Sequence, residues 1–263
     1  MKRRNFLTGL AAMSAIPAFG FSMGSDENQT EQKFIEILKY QLPFGPSKER
    51  VSNFYKDAAI TALNKAGVSP VGVFNVAYGP DSLALYVIQQ HKNFESVITY
   101  NAKLMDDKDF RLAAKEYLET PFANPAYLRI ETSLLKGFKD MPTLEQPTAL
   151  LSNMARIYEM RIYESHSYLF GQKKIEMFNE GGEIKVFRKT GLVPVMFGET
   201  MIGKQIPNLT YMLVFENMTE RDKKWDIFRA DPDWEKLRND PQYKDTVSCI
   251  TDIILKPTAF SQL

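Results

Sequence analysis

The feature that most constrains this 263-residue chain is a weak internal repeat. Phe34-Ile35-Glu36-Ile37-Leu38-Lys39-Tyr40 matches Ile157-Tyr158-Glu159-Met160-Arg161-Ile162-Tyr163, with Glu36 and Tyr40 each 123 positions before Glu159 and Tyr163. Lys65-Ala66-Gly67-Val68-Ser69-Pro70-Val71 matches Lys189-Thr190-Gly191-Leu192-Val193-Pro194-Val195 at an offset of 124, and Leu85–Ile88 resembles Met212–Phe215 at 127. Three matches in one order, with a slowly growing offset, point to a duplicated plan with small loop insertions in the second copy.

Both copies read alike. An extended segment at 34–40 or 157–163 comes first. A helix is expected over 48–66, where Val51, Phe54, Ala58 and Ala62 recur at three- and four-residue steps and Gly67 supplies a stop. In the second copy Ile175, Phe178 and Phe187 suggest a related helix that Gly181 and Gly182 interrupt. Paired β-rich segments follow at 70–77 and 83–90, then at 193–201 and 209–217. Helix starts are expected near Asn93 and Thr219, and Asp231-Pro232 suits the entry to another. Each copy closes on an extended segment, at 127–135 and 247–255.

The order β-α-β-β-α-β is the ferredoxin-like plan, so the expected class is α+β with tandem ferredoxin-like domains. Helices cover one face of such a sheet. The other face is expected to stack on its counterpart, within the chain or in a homo-oligomer. Lys139–Ser152, with Pro142 and Pro147, is the best linker. The expected divisions are residues 1–25, 26–145 and 150–263.

Lys2, Arg3 and Arg4 precede an uncharged apolar run from Phe6 to Met23, the pattern of a cleaved signal peptide. Arg3-Arg4 followed by Phe6-Leu7 resembles a twin-arginine signal, so an exported, periplasmic or secreted protein without stable membrane insertion is expected. Without residues 1–25 the chain carries 30 basic and 32 acidic residues, and no clustered basic footprint for nucleic acid. Cys249 is the single cysteine, so no intrachain disulfide can form; its apolar-leaning surroundings suggest a buried structural thiol.

The second half resembles the NIPSNAP family. The residues that carry this are Tyr158–Tyr163, Trp225, Phe228, Asp231-Pro232-Asp233-Trp234 and Leu255-Lys256-Pro257-Thr258-Ala259-Phe260. The first half looks like a divergent partner domain through Ala62–Gly67 and Pro70–Phe74. The resemblance implies a fold of the dimeric α-β barrel type. That group includes cofactor-free monooxygenases, haem-binding enzymes and proteins without known catalysis. Fold alone does not choose among these. The first copy has Leu38 where the second has Arg161, which suggests one working pocket rather than two.

Strand alternation places Glu159, Arg161 and Tyr163 on one face and Tyr158, Met160 and Ile162 on the other. The apolar set is expected under the helices and the polar set between the sheets or in solvent. Arg161 and Tyr163 are candidate ligand-binding residues. Glu159 and His166, three residues beyond the strand, are candidate acid–base groups; the competing reading is a salt bridge between sheets. Trp225, Phe228 and Trp234 read first as core faces of helices. Two distant histidines and one cysteine give no metal-ligand spacing, so neither a metal nor a cofactor is expected, although a single axial histidine for haem needs no spacing motif. The expected function is binding of a small organic ligand between packed sheets. The alternatives are a cofactor-free oxygenase-like or haem-binding enzyme, and an interaction module without catalysis.

Overall fold

A computed structural model describes residues 33–81 and 83–263. The leader and export signal read from residues 1–25 lie outside the described residues.

The first half begins with β1 (Phe34–Gln41) and α1 (Ser47–Phe54), a π-helical turn (Tyr55–Ala59) and α2 (Ile60–Lys65). It continues with β2 (Val71–Tyr78), β3 (Ala84–His91), α3 (Phe94–Asp106), α4 (Lys108–Ala113), α5 (Lys115–Leu118) and β4 (Arg129–Gly137). The second half holds β5 (Ile157–Glu164), α6 (Tyr168–Phe178), α7 (Glu183–Lys189), β6 (Val193–Ile202), β7 (Asn208–Phe215), α8 (Met218–Arg229), α9 (Pro232–Arg238) and β8 (Cys249–Pro257).

Local chemistry accounts for the boundaries. Asn93, Ser167, Asn217 and Asp231 cap α3, α6, α8 and α9, each side chain accepting from a backbone N–H of the first turn. Gly182, at φ 85°, separates α6 from α7 in a left-handed conformation that favours glycine. The smooth helix expected over 48–66 instead contains the π-helical turn. Steps of three and four residues describe an ordinary α-helix and carry no sign of an i→i+5 turn.

The eight strands form one closed antiparallel barrel in the order β1-β3-β2-β8-β5-β7-β6-β4. This corrects the expected tandem ferredoxin-like domains of the dimeric α-β barrel type, with sheets stacked face to face. The four strands of each half are neighbours, but the halves join edge to edge. β2 pairs with β8 through Asn75 opposite Lys256, and β4 pairs with β6 through Lys136 opposite Glu199. Closure gives every strand a partner on both sides, whereas two separate sheets would leave four edges of unpaired N–H and C=O groups.

The barrel interior is packed with Ile35, Phe74, Ile88, Tyr158, Met160 and Met212. The outer face of the first half packs against its helices through Leu38, Tyr40, Val73 and Val87. The outer face of the second half does so through Phe197, Tyr211, Leu213 and Phe215. The linker segment is laid along the barrel: Leu144 is buried in the interior cluster, and its N–H donates to Gln90 Oε1 at 2.6 Å. Among the described residues no helix is long and apolar enough to cross a membrane. Cys249 is exposed at the start of β8, not buried as expected, because the buried part of that strand begins only at Ile253.

Candidate ligand-binding cleft

The strand β5 alternates as expected, but its faces are reversed. Tyr158 and Met160 point into the barrel, while Glu159, Arg161 and Tyr163 lie on the outer face beneath α6 to α9. A closed barrel has an interior to fill, and the apolar set fills it. Glu159 then finds its partners on α8, and Arg161 and Tyr163 find theirs on the neighbouring strands β8 and β7.

Glu159 is fully buried. Arg221 of α8 grips it with both Nη2–H to Oε1 at 2.5 Å and Nε–H to Oε2 at 3.0 Å, and Trp225 Nε1–H donates to Oε2 at 2.7 Å. A carboxylate held by three donors is a structural anchor for α8. Arg161 does not pair with Glu159. Its Nε–H donates to Asp252 across the β5–β8 ladder, and its guanidinium carbon lies 5.1 Å from the Trp225 ring centre and 5.3 Å from that of Tyr163. The Tyr163 and Tyr211 hydroxyls share a hydrogen bond of 3.0 Å.

These groups line a cleft of about 390 Å³ between the outer sheet face and the helices. Phe187, Phe228 and Trp234 add aromatic wall. Lys174 of α6 and Glu183 of α7 form an ion pair at 2.7 Å in its depth. Burial pushes the Glu183 carboxyl above its usual value, against the opposing pull of Lys174. Burial also raises the Tyr163 hydroxyl, to about 12, with Arg161 opposing, so it remains a neutral donor at neutral pH. Burial opposes the Arg161 charge, but Tyr211, Tyr163, Asp252 and Glu159 outweigh it, and the guanidinium stays charged.

The lining therefore carries four cationic side chains, Arg161, Lys174, Arg229 and Arg238, against the single carboxylate of Glu183. Asp252 and Asp226, beside the lining, pair with Arg161 and Arg229. Such a site can hold an anionic group on an aromatic body, and Glu183 can exchange a proton with it.

The structure brings Arg161 and Tyr163 into this cleft and sets Glu159 behind it. His166 stands apart, exposed at the turn after β5, with its ring 4.3 Å from that of Phe170. His91 is buried in the other half. Neither of the chain's two histidines lines the cleft. Sequence reasoning missed Lys174, Glu183 and Tyr211. Lys174 falls in step with Gly171, Met177 and Phe178 on the buried face of α6, and a charge in an apolar stripe is the signal that could have found it.

A larger opening of about 570 Å³ lies at one end of the barrel interior. Its charges cancel locally: Lys39 bonds Asp81 and Glu131, and Lys204 bonds Glu131.

The NIPSNAP family profile matches residues 158–262. No curated protein sequence matches the chain. A solved protein provisionally assigned as a monooxygenase from Lactobacillus acidophilus NCFM superposes with a TM-score of 0.57 at 12% identity, over 86% of this chain and 94% of its own. Another so assigned, from Fusobacterium nucleatum, gives 0.56 at 10% identity, over 87% and 93%. These likenesses show the fold alone. A NIPSNAP-like domain protein from Burkholderia xenovorans is 23% identical over 41% of this chain and 90% of its own, with a TM-score of 0.37. A NIPSNAP-family domain thus occupies residues 158–262, the half of the barrel that holds the Arg161 cleft.

Proposed function

We propose that the Arg161 cleft binds a small organic anion with a planar aromatic body. The observation that carries this reading is the position of Arg161, between the Trp225 and Tyr163 rings, in a lining that carries four cationic side chains and one carboxylate. Arg161 takes the anionic group, the rings take the planar body, and the Tyr163–Tyr211 pair offers a hydroxyl donor. The cleft has the size of an ordinary small-molecule site.

Both tryptophans of the chain, Trp225 and Trp234, line this cleft, so their emission reports its occupancy. Titration with benzoate and 1-naphthoate is expected to quench that emission. Arg161→Met keeps much of the side-chain length and removes the charge. It is expected to weaken binding at least tenfold with the thermal transition nearly unmoved. Equal affinity in folded Arg161→Met protein removes Arg161 from the site, and an unquenched emission across such acids rejects the reading.

A second reading, a cofactor-free oxygenase, draws on Glu183. A carboxyl raised by burial and sitting in the cleft suits abstraction of a ligand proton, the first need of such chemistry. Oxygen uptake with a bound hydroxynaphthoate, lost in Glu183→Gln while quenching persists, would support it; uptake that survives Glu183→Gln would remove Glu183 as the base.

A further inference from the structure

The first half holds a cavity of its own, about 340 Å³, between the outer sheet face and α1 to α5. Its lining differs in chemistry from the Arg161 cleft. Six rings face it, those of Tyr40, Phe54, Tyr55, Tyr100, Phe110 and Tyr117. Among the described residues no Lys, Arg or His lines it, and Glu36 is its one charged group.

Glu36 is the counterpart of Glu159, but its surroundings have changed. No arginine grips it. Its Oε2 accepts from Gln89 Nε2 at 2.6 Å and lies 3.1 Å from His91 Nε2. His91 sits behind the carboxylate, with Nδ1 3.2 Å from Ser96 Oγ. Leu38 stands where the other half has Arg161, which removes the cation that would repel a positive guest. The tyrosine hydroxyls are neutral: burial raises Tyr40, Tyr55, Tyr100 and Tyr117 above their usual value. The π-helical turn of Tyr55–Ala59 delivers two of the lining residues, Tyr55 and Ala59, and places the Tyr55 hydroxyl 2.8 Å from that of Tyr40. Single π turns inside helices recur at functional sites.

We propose that this cavity is a second ligand site, selective for a small organic cation, an ammonium group on an apolar body. The negative faces of aromatic rings attract an ammonium, and the Glu36 carboxylate supplies a full countercharge at the floor. The two halves of the barrel thereby hold guests of opposite charge.

The test is isothermal titration calorimetry at pH 8 with benzyltrimethylammonium, benzyl alcohol and benzoate, on the whole chain. The cation is expected to bind at least tenfold more tightly than the alcohol, without changing tryptophan emission, since both tryptophans line the other cleft. Glu36→Gln is expected to weaken the cation about tenfold. Asn101→Lys, at an exposed rim position of α3, adds a repelling charge without disturbing the core and is expected to weaken it several-fold. Absence of cation binding at millimolar concentration overturns the proposal. So does equal affinity for benzyl alcohol, an affinity indifferent to both substitutions, or a tryptophan signal that tracks the cation.

Discussion

Lys174 and Glu183 meet at 2.7 Å with side chains only 6% and 3% exposed. The ammonium also lies 4.6 Å from the Phe178 ring centre. A buried pair of this kind is costly to half-remove, because the remaining charge has no water to turn to. The pair thus ties α6 to α7 across the glycine break while leaving a titratable carboxyl in the cleft.

Lys174→Met should cost about 3 kcal/mol at pH 8, the range for stripping one partner from a buried pair. The cost should shrink on acidification. Glu183 has a folded pKa above its ordinary value, so between those two values the folded state binds more protons, and its contribution falls as pH rises. Loss of Lys174 pushes the folded pKa higher and steepens that fall. Urea denaturation of both proteins at pH 8 and pH 5 measures it. An equal difference at both values would show that Glu183 does not titrate in response to Lys174.

The Glu159–Arg221 pair has a different balance, since the carboxylate is fully buried and Arg221 remains 23% exposed. Arg221→Met leaves Glu159 with Trp225 Nε1–H as its donor and should cost about 2–3 kcal/mol, somewhat below the fully buried range. Glu159→Gln keeps one oxygen to accept from Arg221 Nε–H and Trp225 Nε1–H but turns its NH2 toward Arg221 Nη2–H. The partly exposed Arg221 can swing to solvent, so this variant should cost less, about 1–2 kcal/mol. Thermal melts of the two variants establish the order. If Glu159→Gln proves the more damaging, the charge of the carboxylate, rather than its acceptor geometry, holds α8 in place.

The helix entries at Asn93 and Asp231 and the glycine break were legible in the sequence because each is a local signal. Asp231-Pro232 opens α9, and Gly181-Gly182 divides α6 from α7. Barrel closure was not legible, because it depends on which edges meet, and Asn75 opposite Lys256 leaves no trace in either segment alone. For the same reason the two faces of β5 were separated correctly but assigned to the wrong sides. Alternation says that Met160 and Arg161 point apart; it does not say which side is the barrel. The lining of the cleft is likewise non-local, with Lys174, Glu183 and Tyr211 arriving from three elements.

Cys249 offers a chemical check on the start of β8. It is exposed, so the folded protein should react with a thiol reagent at a rate within about tenfold of the unfolded chain, and with one equivalent, since it is the single cysteine. A thiol protected by orders of magnitude until denaturation would place the beginning of that strand under cover.

Gly137 tests how closely the linker segment lies on the barrel. It ends β4, and its N–H donates to Lys33 O at 3.0 Å. A Cβ there would meet the carbonyl oxygen of Pro142, and backbone cannot swing aside as a side-chain tip can. Gly137→Ala should therefore force the 138–142 turn off the strand and cost about 2 kcal/mol, within the range for overpacking. Gly67→Ala is the control. That position has open space but a φ of 82°, so its cost is conformational, about 1 kcal/mol. Hydrogen exchange separates the two mechanisms. In Gly137→Ala the amides of Phe138 and Glu145, which donate to Phe197 O and Val195 O on β6, should lose protection before the rest of the barrel. In Gly67→Ala those amides should follow global unfolding. Retained local protection together with unchanged stability in Gly137→Ala would mean that the Pro142 carbonyl gives way to a Cβ on Gly137 without loosening the linker.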